Sequence, residues 1–190
     1  MRIDAVLMTA LACAASCAGA QEAAIARELP FAAGGSVRMM LRVGDVEIVG
    51  SDDEKISVSW RPSTAQTVTV NLERTAEKEA TLRVEGPSNK VRYRIEVPKR
   101  SGLAVGMHAG NLDIRGVSGN LDVHLLAGNV DIRLPDASAI GTVSAAVVSG
   151  GLTAKPWKVD KGGIVRTFER TGPGEFDLHA QVLAGQLTIR

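Results

Sequence analysis

Three histidines, a recurring aspartate and a recurring cation are the side chains of this chain best suited to chemistry. His108, His124 and His179 could ligate zinc or move a proton near neutral pH. Asp113, Asp122 and Asp131 recur every nine residues, the period of calcium-binding nonapeptide rolls. Those rolls place aspartate two residues after glycine. Here that position holds Leu112, Leu121 and Val130, and the aspartate comes one residue later. Apolar side chains stand where ligands belong, so the register argues against calcium. Arg115, His124, Arg133, Lys155, His179 and Arg190 share one place in the repeat, two residues after the aspartate or its counterpart. That equivalence reads as an outward basic row facing neighbouring carboxylates, not as a metal site or a catalytic pair. Within it, Arg115, His124, Arg133 and Lys155 are the candidate surface for an anionic ligand.

Other chemistries lack their parts. Ser149 precedes Gly150-Gly151, but no Gly-x-Ser-x-Gly elbow occurs. Glycan-cleaving β-helices need clustered carboxylates and aromatic subsites. The aspartates here are dispersed by the period, and aromatics make up only 3% of the chain. A net charge of +1, from 22 basic and 21 acidic residues, supplies no basic field for nucleic acid. No catalytic, metal or cofactor site is expected.

The elements that carry these residues are strands. Val37, Met39, Leu41 and Val43 alternate with polar positions, as do Ile56, Val58 and Trp60, then Val68, Val70 and Leu72. Leu82 and Val84 lead through Pro87-Ser88-Asn89-Lys90 to Val91, Tyr93, Ile95 and Val97, a hairpin pattern. From Leu103 onward, Gly110-Asn111-Leu112-Asp113-Ile114-Arg115 is copied at Gly119 and Gly128, and more loosely at Gly150, Gly174 and Gly185. An earlier echo begins at Gly44, and degenerate copies fall near Thr142–Ala146 and Gly163–Arg166. Each copy predicts a corner glycine followed by a strand of about five residues. Such a strand cannot bury its apolar face alone, so successive copies must stack, two per coil, as in a solenoid. Strands this short, without aromatic girdles, argue against an outer-membrane barrel.

The first twenty residues are an address. Arg2 precedes an apolar run from Ala5 to Ala15, and Ala18-Gly19-Ala20 supplies a signal-peptidase site, with cleavage residues Ala18 and Ala20. The run is too short to span a membrane. Cys17, after Ala14-Ala15-Ser16, offers a lipidation alternative, though the customary leucine before it is missing. Both cysteines, Cys13 and Cys17, lie in this segment, so the mature chain would carry no disulfide or thiolate site.

The run "VGDVEIVG", the strand "YRIEVPKRSGLAV", the tandem "AGNLDIRGVSGNLDVHLLAGNVDIRLP" and the final "AGQLTIR" resemble the bacterial putative-adhesin family. These are secreted β-solenoid domains related to the GIN head domains of autotransporter-like adhesins. The resemblance spans about residues 27–190 and implies an envelope location and a β-solenoid fold. It brings no catalytic residues.

The expectation is therefore an all-β secreted protein. Residues 1–20 form the signal and 21–30 a linker with weak helical character over Gln21–Leu29. Residues 31–190 form one solenoid domain, with longer antiparallel strands over 31–98 and short-period repeats over 103–190. Its expected role is a non-enzymatic adhesin-like module of the periplasm or cell surface. One alternative is a periplasmic binding or sensing domain for an anionic envelope component; another is a β-helical carbohydrate-active enzyme. Expected partners are an envelope protein, an anionic polymer, or a second copy joined through the C-terminal strand edge. Trp157 and Phe168 belong to the least repetitive stretch, expected as a loop that either covers the core or binds a ligand.

Overall fold

The computed structural model describes residues 25–60, 68–85 and 91–190. It is all-β, with eleven strands in one open sheet. In chain order these are β1 (Ile25–Pro30), β2 (Ser36–Ser51), β3 (Lys55–Trp60), β4 (Thr69–Ala76), β5 (Glu79–Glu85) and β6 (Arg92–Pro98). They continue as β7 (Gly102–Arg115), β8 (Leu121–Arg133), β9 (Ile140–Ala154), β10 (Val159–Thr171) and β11 (Phe176–Ile189). The sheet runs β1-β3-β6-β2-β7-β8-β11-β9-β10, with β5 on the β6 side of β2 and β4 outside β5. The residues expected to form a signal peptide, Ala18 and Ala20 among them, and both cysteines lie outside the described residues.

The heart of the sheet is five long parallel strands, β2, β7, β8, β11 and β9. Alternation decides what each one buries. In β7, Leu103, Val105 and Met107 are buried, and so are Leu112 and Ile114. The step from 107 to 112 is odd, so a flat strand would send the two groups to opposite faces. The phase changes at Ala109-Gly110-Asn111, where Gly110 has φ +125°. A bend at this glycine turns both arms of the strand toward one core. Gly44, Gly128, Gly185 and Gly150 occupy the same column on the other four strands, all at positive φ. A Cβ on Gly128 would lie 1.8 Å from the Gly110 carbonyl oxygen, so the bend admits no side chain. One continuous cluster of Val, Leu, Ile, Met and Ala fills the interior, with Trp60, Tyr93 and Phe31 its largest members. Each buried aliphatic side chain contributes about 1.5–3 kcal/mol.

The nine-residue period therefore holds two kinds of glycine. Gly110 and Gly128, paired across β7 and β8, sit at the bend. Gly119 lies in the turn before β8, and Gly174 in the turn before β11. The strand is not five residues between glycines but 13 to 16 residues through a glycine. The spatial repeat from β7 to β8 is 18 residues, two copies per strand.

Several expectations change. Ile25–Pro30, expected in the linker, is β1 and pairs antiparallel with β3, because backbone pairing overrides a weak local helical tendency. β5 and β6 do not form a hairpin. Their apolar residues face inward as expected, but both strands lie end to end along one edge of β2, parallel to it. Residues 31–98 thus mix parallel and antiparallel pairing, and the observed hairpin is β4–β5. The copies do not all stack in sequence order, since β11 inserts between β8 and β9. The C-terminal strand is consequently interior, paired on both sides, and has no free edge for a second copy. The described ends of the main path are β1 and β10.

The Trp157–Phe168 stretch is not a loop. Lys155–Trp157 forms one 3-10 turn, closed by Lys158 at φ 57°, and the chain returns as β10 antiparallel to β9. On β10 the positions opposite buried Leu152 and Val147 carry Lys161 and Arg166. Cations at core-facing positions of an edge strand oppose further stacking, so β10 ends the array chemically.

Candidate functional site

The bend separates the outward residues into two fields. On the arm after the glycines, successive strands align three columns of polar side chains. The first contains Asp45, Asn111, Asn129 and Gln186. Asn111 Nδ2 donates to Asp45 Oδ1 at 2.8 Å, and Asn129 Nδ2 to Asn111 Oδ1 at 3.0 Å. The second column contains Glu47, Asp113, Asp131, Thr188 and Thr153. Arginines follow in the third, and each reaches back one strand. Arg115 pairs with Glu47, Arg133 Nη2 lies 2.9 Å from Asp113 Oδ2, and Arg190 Nε donates to Asp131 Oδ1 at 2.9 Å. Arg94 on β6 stands directly opposite Glu47, in the second column, and lies 3.0 Å from its second oxygen.

This is a diagonal charge ladder. Parallel strands place identical repeat positions about 4.8 Å apart, so a cation two residues beyond a carboxylate meets the carboxylate of the strand before. Hydrogen bonding to Asp131, with its charge, raises the Arg190 pKa above its ordinary value. The first two columns, with Arg92 of β6 opposite Asp45, line a shallow trough of about 550 Å³ whose polar groups are amides, carboxylates, a hydroxyl and one guanidinium. One acceptor in it, Asp113 Oδ1, is buried without a hydrogen-bond partner.

The residues singled out from sequence do not converge. Arg115 and Arg133 stand in the ladder. Lys155 starts the 3-10 turn after Ala154, the residue paired with Ile189, and so lies beside the Arg190 end of the same row. His124 belongs elsewhere, on the arm before the bend, between Gly106 and Gln181. His179 lies on that arm too, opposite Asp122. Copies beginning at turn glycines and copies beginning at bend glycines put the same motif position on different arms, which the shared spelling Gly-Asn-Leu-Asp conceals. His124 Nε2 is 3.0 Å from Asp122 Oδ1. Trp157 and Phe168 pack together at 5.6 Å between ring centroids, and the Arg170 guanidinium lies over Trp157 at 5.6 Å. Both rings also touch the hydrophobic core, so this cluster closes the β9–β10 end of the stack. Among the described residues, no group of three or more His, Cys, Asp or Glu is placed to hold a metal ion.

The repeat spelled out most of the ladder. Asn111, Asn129 and Arg190 occupy repeat positions and were legible as outward-facing. Asp45 and Glu47 lie in the early Gly44 echo, far away in sequence, and only the parallel pairing of β2 with β7 brings them into line.

No protein-family profile and no curated protein sequence matches this chain. Among solved structures, it is similar to a putative cell adhesion protein from Clostridium sporogenes ATCC 15579. The TM-score is 0.53 at 12% identity, covering 88% of this chain and 99% of that one. A putative adhesin from Parabacteroides merdae ATCC 43184 aligns over 87% of this chain and 77% of its own, at 10% identity and a TM-score of 0.25. The first likeness is one of fold. No helix among the described residues is long and apolar enough to cross a membrane.

Proposed function

We propose that this chain is a non-enzymatic, adhesin-like module of the bacterial cell envelope, built as a β-solenoid and related to adhesin head domains of the GIN type. The observation that carries the reading is the diagonal ladder. Each arginine engages the carboxylate of the strand before it, an arrangement that stiffens a long regular surface. A reaction centre would instead need unlike groups gathered around one point. The fold likeness to a putative cell adhesion protein and the secretory pattern of residues 1–20 support the same role. The trough and the Lys155 end of the basic row form its interaction face, with the half-buried Trp157–Phe168 cluster at the same end. Arg115, Arg133 and Arg190 are already paired to carboxylates and attract a polyanion less than free cations would, so an envelope protein or neutral polymer is the favoured partner.

The test is binding of the purified protein to isolated envelope fractions, with parallel turnover assays on glycans and esters. Saturable binding without turnover is expected. Hydrolysis abolished by one carboxylate substitution would replace this reading with an enzyme. Binding confined to an anionic polymer and lost in Arg115→Glu and Arg133→Glu, at unchanged stability, would make the protein a reader of anionic components.

A further inference from the structure

The arm before the bend carries an apolar feature that the polar ladder does not use. Met40 on β2, Gly106 on β7 and His124 on β8 share one outward column. The missing side chain at Gly106 opens a groove of about 510 Å³ between Met40 and Leu126. That volume lies within the range of small-molecule sites, roughly 300–1,000 Å³. Leu126 is 51% exposed, and the neighbouring outward positions on β11 and β9 are Leu183 and Val148, exposed by 51% and 44%. An adjoining cavity of about 210 Å³ shares Leu126 and His124 with the first. The apolar track crosses from β2 to β9, about 19 Å at four inter-strand spacings. Exposed Leu126, Leu183 and Val148 stand side by side on three neighbouring strands and meet Met40 across the gap at Gly106, an apolar patch of the kind that marks a binding surface. The cationic groups at its mouth are Arg42 and Arg83, with the His108 imidazole beside them. The lining carboxylate, Glu85, lies 3.9 Å from Arg83, and His124 is engaged by Asp122.

We propose that this groove binds a single-chain anionic amphiphile, with the acyl chain along Gly106, Met40 and Leu126 and the carboxylate at Arg42 and Arg83. A narrow, apolar, elongated track matches an acyl chain, and the cationic mouth matches its head. Met40 is flexible and polarizable, suited to a ligand of variable length. The site lies on the other arm from the ladder and does not rest on the envelope reading.

Gly106 provides the test. It is not at positive φ, and a Cβ there would meet only the Met39 carbonyl oxygen, at 3.9 Å. Gly106→Leu therefore fills the groove while leaving the fold intact, which thermal melting verifies. Calorimetric titration uses dodecanoate below its micelle concentration, dodecyl maltoside as the neutral probe, and vesicles of phosphatidylglycerol. Saturable 1:1 binding of dodecanoate is expected, reduced at least about tenfold by Gly106→Leu, as loss of a little over one kcal/mol requires. Arg42→Gln with Arg83→Gln should weaken dodecanoate and leave dodecyl maltoside unchanged. Equal affinity for the neutral probe, binding unaltered by Gly106→Leu, or binding to vesicles but not to the monomeric amphiphile would each overturn the proposal. So would a concentration-dependent dimer that Gly106→Leu abolishes, since a second copy would then be the occupant.

Discussion

Replacing Gly128 by alanine tests the bend that makes this sheet enclose a core. Gly128 has φ +131°, and its added Cβ would fall 1.8 Å from the carbonyl oxygen of Gly110 on the neighbouring strand. Forcing an L-residue into that conformation costs about 1–3 kcal/mol. The clash must also separate β8 from β7 at the bend, and each inter-strand hydrogen bond lost costs about 1 kcal/mol. Together these give about 3–5 kcal/mol, a large part of a typical total stability of about 5–15 kcal/mol. With a urea slope near 2 kcal/mol per molar, the unfolding midpoint should fall by about 1.5–2.5 M. Gly106→Ala is the matched control on β7. It lies outside the positive-φ region with open space around it, so its midpoint should shift by no more than about 0.5 M upward or downward. Equilibrium urea unfolding followed by circular dichroism at 218 nm reads both variants. A Gly128→Ala midpoint equal to that of the control would refute the reasoning, because the bend would then tolerate a side chain.

Three further outcomes follow from the same structure. Tyr93 is the chain's single tyrosine and is buried, and burial raises its phenol pKa above the ordinary value near 10. A folded pKa raised above the unfolded one means that the stability is complete below about pH 10 and is lost as pH climbs through the folded value. Absorbance at 295 nm should accordingly show ionisation delayed past pH 10 and coincident with unfolding; a simple titration at 10 in the folded protein would contradict the buried placement. Arg133→Ala removes contacts to Asp113 and Asp131, but the arginine side chain is 44% exposed. The cost should stay below about 1 kcal/mol and shrink further in 0.5 M salt, read as urea midpoints at two ionic strengths. Lys161→Val with Arg166→Val turns the capping strand β10 into one more apolar strand, so light scattering should report concentration-dependent association where the unsubstituted protein remains dispersed.

By itself the sequence determined which side chains are buried. Alternation is a local property: in β7, Leu103, Val105 and Met107 face inward because every second Cβ points the same way. It also marked the glycines, the outward Asn-Asp-Arg pattern and the all-β class. What it left open was every decision that depends on a partner strand. Leu82–Val84 and Val91–Val97 read as a hairpin because they are near neighbours with matching alternation, yet each finds a better partner in β2. The nine-residue period looked like one unit, although Gly110 and Gly119 introduce identical Gly-Asn-Leu-Asp runs and differ in place and backbone: Gly110 sits at positive φ in the bend of a paired strand, Gly119 in the turn before β8. That difference sent His124 to one arm and Arg133 to the other. The position of β11 was equally invisible, since nothing local to Phe176–Ile189 records that β8 and β9 leave a strand-wide gap between them. Tertiary structure decided pairing order, edges and the composition of each outward column, because backbone hydrogen bonds between strands are chemically alike and only the packed whole selects among them.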